Sequence, residues 1–372
     1  MIEYDGYRIA EPDALETPAM VVFADKLDDN IAAMCEAAGG GGNLMVHVKT
    51  HKTEAIVRRQ IEAGIAGFKC ATLKELEVTM EAGASEAILA YPQVQRRKVE
   101  RLASLMDTFP DCQVHTIVSA DEHVAVLRDV AGEQEQSRSF NVMVDIDAGM
   151  HRTGVPFKDA QTLYRVIHAE DDLVASGIHL YDGHEHFSDP AEREAAANRQ
   201  IGRLEKLKAQ LEQAGMSVGR IAAGCTFTYP YYARTEGMHG SPGTCTYWDL
   251  GYDNTLPNQP YQFAAMVLTQ VVDRDLGHHT ITTDLGNKAI PADPPIHRRA
   301  TLVSHEDANL LIQNEEHGVF ALRGGELPSV GTYLLAIPWH VCPTATKYPG
   351  SYLLDDQGAL VDFHPHTARD RY

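Results

Sequence analysis

The chain has 372 residues, is 44% hydrophobic and 23% charged, and carries a formal net charge of −20. That length exceeds a single small core and suits a barrel of roughly 250 residues plus a smaller domain. The acidic balance disfavours nucleic acid and anionic membranes as partners, and no run of ~18 uninterrupted apolar residues calls for a membrane span.

The first residues, Met1-Ile2-Glu3-Tyr4-Asp5, are acidic where a secretory leader is basic and then apolar. Six cysteines (Cys35, Cys70, Cys112, Cys225, Cys245 and Cys342) are scattered without a CxxC. Reduced thiols and a cytoplasmic location are expected.

From residue 18 strand-like and helix-like segments alternate. A strand over 19–24 leads into a helix over 26–38, closed by the glycines 39–42. No GKS or GKT follows these glycines, so they read as a flexible loop, not a phosphate cradle. The second strand, 44–48, runs into Met45-Val46-His47-Val48-Lys49-Thr50-His51-Lys52. Alternation sends Val46 and Val48 one way and His47 and Lys49 the other, with Lys49 at the strand's C-terminal tip. Thr53 is placed to cap a helix carrying Ile56, Val57 and Ile61, and Gly64 marks its stop.

The pattern then repeats. A strand over 67–71 precedes Thr72-Leu73-Lys74-Glu75, which reads as a capping box; Leu73, Leu76 and Met80 share a helical face, and Gly83 ends it. Strands follow over 87–90, 112–118, 140–146, 174–180 and 220–223, and Ser119-Ala120-Asp121-Glu122 reads as another capping box. The longest helix begins near Ser188-Asp189-Pro190, carries Ile201, Leu204, Leu207 and Leu211 at helical spacing, and stops at Gly215.

Eight strands, each followed by a helix or long loop, predict a (β/α)8 TIM-type barrel over residues 18–258. A Rossmann sheet is less suited, because no GxGxxG follows the first strand. Beyond residue 260 the segments 263–272, 280–283, 300–303, 318–322, 333–337 and 351–354 are short, β-like and separated by turn residues. They predict a second, mainly β domain made of residues 1–17 and 259–372.

Ionisable and polar residues gather after the barrel strands, on the rim where such barrels do chemistry. Lys49 is a candidate for a Schiff base with an aldehyde cofactor. Arg152, in Asp147-Ala148-Gly149-Met150-His151-Arg152, suits a phenolic oxygen or a carboxylate. Tyr181 precedes His184 and His186, which share a face if the segment is extended, as metal ligands or general bases. Gly224, Thr226 and Thr228 suit an anion, with Gly243 and Thr244 as further backbone donors. In the β domain, His340-Val341-Cys342 places an imidazole and a thiol on one side of an extended strand, a pair that a divalent ion such as zinc accepts. Taken singly, each cluster also fits an ordinary turn or surface ion pair.

Together these segments resemble the D-threonine aldolases and related D-serine dehydratases, pyridoxal-phosphate enzymes with an alanine-racemase-type barrel and a β domain. His47-Val48-Lys49-Thr50-His51-Lys52 is similar to the family's cofactor-lysine motif, which implies Lys49 as the Schiff-base residue. The segment Asp147 to Val155 resembles the one whose arginine, here Arg152, faces the cofactor ring, and Tyr181-Asp182-Gly183-His184 resembles the tyrosine segment lining the site. Ser241-Pro242-Gly243-Thr244 with Trp248-Asp249-Leu250-Gly251-Tyr252, and then Asp284-Leu285-Gly286-Asn287-Lys288-Ala289, resemble the aldolase branch. His340-Val341-Cys342-Pro343-Thr344 is similar to the divalent-metal motif.

The chain departs from the family in places. Met45-Val46 stands where Arg-Pro is usual, and Cys225 and Phe227 replace a glycine and a proline of the phosphate cup. Some aldolases carry aspartate where this chain has Cys342.

The resemblance implies pyridoxal 5′-phosphate and a divalent metal (Mn2+ or Zn2+) as cofactors, a small D-amino acid as substrate, and a homodimer. The expected activity is cleavage of D-3-hydroxy amino acids to glycine and an aldehyde, with His184 or His186, or a water held by the metal, as base. Two alternatives stay open: dehydration to a keto acid and ammonia, and a non-catalytic pyridoxal-phosphate carrier.

Overall fold

Eight short strands pair in sequence order, all parallel: Met45–His47, Gly67–Cys70, Glu86–Leu89, Gln113–Val118, Phe140–Asp147, Leu173–Tyr181, Arg220–Ala223 and Met238–Gly240. A bridge between Leu44 and Gly240 brings the last strand beside the first, so the sheet nearly closes into a barrel. The computed structural model describes residues 1–133 and 139–371. Its contacts divide the chain into two units: residues 34–49, 54–243 and 370–372 form the barrel unit, and residues 1–33, 50–53 and 244–369 the other. Tyr372, the last residue of the expected β domain, lies outside the described residues.

Met45, Ile88, Ile117, Met143 and Ala222, one from each of five strands, form a buried cluster inside the barrel. The barrel is therefore filled, and a ligand can enter only at its ends. Helices separate the strands. Thr72 caps Leu73–Glu81 by accepting the Glu75 N–H at 3.1 Å, and the Glu75 carboxylate accepts the Ala71 N–H at 2.6 Å. Asp189 caps Pro190–Gln213 by accepting the N–H groups of Ala191 and Glu192, and Ile201, Leu204, Leu207 and Leu211 are all buried. The second capping box does not form. Ala120 is the N-cap of Asp121–Ala131, and the Ser119 N–H donates instead to His123 Nδ1. Thr53 Oγ1 is likewise buried with no hydrogen-bond partner, so its hydroxyl does not cap Glu54–Glu62.

The strand Ala19–Phe23 corrects the expected barrel and its boundaries. It belongs to the second unit, antiparallel to Ala265–Asp275 and parallel to Gly350–Leu354. All five of its residues are buried, so its apolar pattern suits the middle of either sheet and names neither. The missing eighth barrel strand is Met238–Gly240, too short for a periodic signal. Residues 18–33, 50–53 and 244–258, expected in the barrel, therefore lie in the second unit, and 370–371, expected in the β domain, lie in the barrel unit.

That unit is mainly β. Ala265–Asp275 is its hub, pairing with Ala19–Phe23, Thr280–Thr283 and Tyr333–Pro338. Asn309–Gln313 and Leu360–Pro365 are further strands at the sheet's two edges. The N-terminal hairpin Ile2–Tyr4 and Tyr7–Ile9 packs Tyr7 and Ile9 into the core around Val21, Phe23, Met266, Leu268 and Leu335. Among the described residues no helix is long and apolar enough to cross a membrane.

Candidate active site

In the barrel unit, Lys49 follows Met45–His47 in a single 3-10 turn, Val48–Thr50. Its N–H donates to His47 Nδ1 at 3.3 Å, and the His47 N–H donates to the Pro242 carbonyl at 2.8 Å. The turn, not an extended strand, thus brings Lys49 to the rim, while Val46 and Val48 stay fully buried. Lys49 Nζ lies 5.8 Å from the centroid of the Tyr181 ring, and the Arg152 guanidinium carbon 4.8 Å from it. Two sequence-predicted residues, Lys49 and Arg152, therefore stand by the ring of a third, Tyr181.

A carboxylate organises the loop that presents Arg152. Asp147 Oδ1 accepts the N–H groups of Gly149 and His151 at 2.9 and 3.0 Å, and Oδ2 pairs with His151 Nδ1 at 2.8 Å. Partial burial alone would raise the Asp147 pKa. These hydrogen bonds outweigh it and hold the carboxyl below its usual range. Gly154, at φ +99°, crosses the Asp147 backbone so closely that a Cβ would stand 2.4 Å from its nitrogen. Beyond Tyr181 the chain turns back on itself, and a Cβ on Gly183 would stand 2.2 Å from the tyrosine hydroxyl.

That turn overturns the expectation that His184 and His186 share a face. His184 lies over Gly149, its Nε2 3.7 Å from Glu185 Oε1 and its Nδ1 buried without a hydrogen-bond partner. His186 goes elsewhere, edge-on to the Phe227 ring at 4.9 Å.

The glycine–threonine segment folds as a cup with unequal parts. Gly224 adopts φ +90°, and a Cβ there would stand 2.7 Å from the Tyr232 ring. Thr228 turns inward: its hydroxyl donates to Asp182 Oδ1 at 2.8 Å and accepts the Cys225 N–H at 3.1 Å. Tyr232 donates to the other oxygen of Asp182 at 2.9 Å. Burial pushes the Asp182 carboxyl up. Thr226 Oγ1 accepts the Gly243 N–H at 3.4 Å, which ties the 241–243 segment to the cup. Thr228 is thus spent on Asp182 and Cys225, while Thr226 is joined to Gly243.

Two buried groups beneath the rim escaped the sequence reading. Lys69, on Gly67–Cys70 and in register with His47, is 2% exposed, and its Nζ also lies 5.8 Å from the Tyr181 centroid. Burial, then the charge of Lys49, pushes Lys69 down to about 7 against the opposing pull of Asp145, Asp182 and Cys225. His179 and Asp145, partners across the ladder, are joined Nδ1 to Oδ1 at 2.7 Å, and Thr153 donates to Asp145 Oδ2 at 2.9 Å. His179 Nε2 is buried without a hydrogen-bond partner. His179, Asp145, Arg152 and Tyr181 line one pocket. A lysine inside the apolar run Gly67-Phe68-Lys69-Cys70-Ala71 was the available signal.

In the second unit, His340 is the N-cap of the short helix Val341–Ala345, not part of an extended strand. Its proximity to Cys342 comes from that first turn. His340 Nδ1 bonds Asp293 Oδ2 at 2.7 Å, which fixes the ring. Burial would lower the His340 pKa; hydrogen bonding to Cys342 and Asp293 and the charges around it raise it to about 9. The Cys342 sulfur touches the Thr50 hydroxyl at 3.5 Å and the Thr244 hydroxyl at 3.8 Å. Thr50 is the next residue after Lys49, and Thr244 the next after Gly243. Thr244, expected at the anion cup, stands beside this thiol in its own unit. Tyr252, on Leu250–Thr255, packs against Trp248 with ring centroids 5.7 Å apart.

Asp249, 1% exposed, ties these pieces together. Its Oδ1 accepts the Tyr252 N–H and its Oδ2 the Val341 N–H, each at 3.0 Å. Burial pushes its carboxyl up to about 6 although those N–H groups pull the other way. Among the described residues no group of three or more His, Cys, Asp or Glu side chains is arranged to hold a metal. An imidazole fixed by a carboxylate beside a thiol is a donor pair whose chemistry suits a borderline-soft divalent ion, and such an ion would have positions left for water or substrate.

The profile of the family described as "Alanine racemase, N-terminal domain" matches residues 22–250, and that described as "Putative serine dehydratase domain" matches residues 264–354. The chain is 26% identical to the D-threo-3-hydroxyaspartate dehydratase of Delftia sp. (strain HT23), over 93% of this chain and 96% of that protein. It is 24% identical to the 3-hydroxy-D-aspartate aldolase of Paracoccus denitrificans (strain Pd 1222), over 99% and 98%. The crystal structure of D-threonine aldolase from Filomicrobium marinum superposes with a TM-score of 0.86 at 25% identity, over 95% of this chain and 96% of that one.

Proposed function

Because this chain belongs to the family of the alanine racemase N-terminal domain, we propose that it is a pyridoxal-phosphate- and divalent-metal-dependent lyase that cleaves D-3-hydroxy amino acids, D-threonine among them, to glycine and an aldehyde. The observation that carries this reading is the convergence of Lys49 and Arg152 on Tyr181. A crowd of cations over one ring is a preformed seat for an anionic aromatic ligand. The buried, unpartnered Nε2 of His179 in the same cavity is an acceptor that awaits a donor.

Lys49 would hold the cofactor through its amine, with Tyr181, Arg152, Gly224, Thr226 and Gly243 as the other residues that would bind it. When bound, pyridoxal phosphate supplies an electron sink for the bond that breaks. His340 and Cys342 hold the metal, which supplies Lewis acidity toward a hydroxyl. His184 takes the hydroxyl proton as general base; its ring nitrogens are not spent on the barrel, whereas His186 is packed on Phe227.

One observation favours a second reading. The Delftia dehydratase is as similar along the chain as the aldolases are. Dehydration uses the same parts on a different proton: the base takes the α-proton and the hydroxyl leaves as water. Incubation with D-threonine and D-threo-3-hydroxyaspartate separates the readings. Glycine with acetaldehyde or glyoxylate supports cleavage, and ammonia with 2-oxobutanoate or oxaloacetate supports dehydration. Bound cofactor without turnover of either substrate in added Mn2+ would leave only a carrier role.

A further inference from the structure

Three side-chain cations surround one ring: Lys49 and Lys69 at 5.8 Å and Arg152 at 4.8 Å from the Tyr181 centroid. Their natural counter-charges are already engaged by other donors. Asp145 accepts from His179 and Thr153, and Asp182 accepts from Thr228 and Tyr232. Lys69 is the most enclosed of the three, rooted beside the Met45–Ile88–Ile117 cluster that closes the barrel below. Cationic crowding in a low dielectric is relieved by giving up one proton, and only an amine can do that, because a guanidinium keeps its charge. The other groups that face Lys69 are His47, its register partner, Tyr181, and the Asp145 and Asp182 carboxylates already bonded elsewhere.

We propose that Lys69 is a proton-accepting counter-cation of the cofactor seat: it takes up a proton from solvent when an anionic pyridoxal ligand fills the mouth. The inference rests on the reading of this rim as a pyridoxal-phosphate site. It makes Lys69 a positioning residue, one that acts through the field it places on the ring and not by bonding the reacting atoms. Burial and Lys49 set its empty-state pKa near 7, so above neutrality the amine is mostly deprotonated. An arriving phosphate and phenolate raise that pKa, and by linkage the binding must then take up protons.

The test uses the full chain stripped of cofactor and titrated at pH 8 with pyridoxine 5′-phosphate, which lacks the aldehyde and cannot condense with Lys49. Calorimetry in two buffers of different ionisation enthalpy counts the protons taken up. Wild type should take up about half a proton or more beyond Lys69→Met. Lys69→Arg, always charged, should bind the ligand with no such excess, and it keeps the test decisive if the methionine variant does not fold. Equal proton counts in wild type and Lys69→Arg would overturn the proposal while leaving the cofactor site intact. Failure of the wild-type chain to bind pyridoxine 5′-phosphate or pyridoxal 5′-phosphate would overturn the site reading and this proposal together.

Discussion

At the residue scale, the barrel rim separates groups that hold from groups that react. Lys49 has its backbone N–H fixed on His47 and its amine over Tyr181. Replacing it by alanine should abolish the visible absorbance of the lysine-bound cofactor and reduce turnover to background, with the fold retained by circular dichroism. The two histidines should differ. His184→Gln is expected to lower kcat by roughly 10²–10⁴-fold, the usual worth of a positioned base, while KM changes little. His186→Gln removes only an edge contact with Phe227 and should cost far less. Steady-state kinetics of the pair check this, and equal losses would move the base elsewhere. Chelation addresses the other half of the chemistry: EDTA should stop turnover yet leave the absorbance, because His340 and Cys342 belong to a different unit from Lys49.

At the element scale, Asp249 links two short pieces that cannot position themselves. The helices Leu250–Thr255 and Val341–Ala345 are each about a turn long, below the length at which helices stand alone in water. One carboxylate accepts an N–H from each. Asp249→Ala strands both donors in a buried place, a loss of about 1–3 kcal/mol for each unmade bond. It should lower the unfolding midpoint and the bound metal per chain together. Asp249→Asn keeps one acceptor and a good N-cap, so it should recover part of both losses. Denaturation curves and metal analysis of the dialysed variants give the comparison. The same elements show where sequence reasoning holds. That Lys49, Arg152 and Tyr181 stand near one another was legible because each lies in a short contiguous motif after a barrel strand. The alternation argument failed at residues 184–186 and at 340–342, because a turn and a helix start replace extended backbone. Ala19–Phe23 was recognisable as a strand but not as a member of either sheet, since burial on both faces erases the signal of partner. The Asp145–His179 pair needed the ladder register, which separates its members by 34 residues and cannot be read locally.

At the scale of the whole molecule, buried imidazoles make the fold sensitive to acid. His51 and His366, 0% and 1% exposed in the β unit, are held neutral: burial, then the neighbouring His366, pushes His51 down to about 3, and burial pushes His366 down to about 4. His51 Nδ1 accepts the Thr53 N–H, and His366 bonds the Ala345 carbonyl and the Ser351 hydroxyl. In the unfolded chain both titrate near 6.5. Their folded values lie lower, so below pH 6.5 the unfolded state binds protons that the folded state refuses. The stability they contribute is complete above 6.5 and is lost as pH falls toward 4. Each proton is worth about 1.4 kcal/mol per pH unit, so the two give a slope of roughly 3 kcal/mol per unit across that window. Asp249 works against them, because its raised carboxyl binds a proton in the folded state between about 4 and 6, and the net slope of the wild type is correspondingly shallower. The decisive quantity is therefore a difference. His51→Asn with His366→Gln should flatten the dependence of unfolding free energy on pH between 6.5 and 4 by about the two histidines' share, whatever the variant costs at neutral pH. Urea denaturation of both proteins at pH 7, 6 and 5 measures the two slopes. Parallel lines would show that acid acts on this chain through other groups.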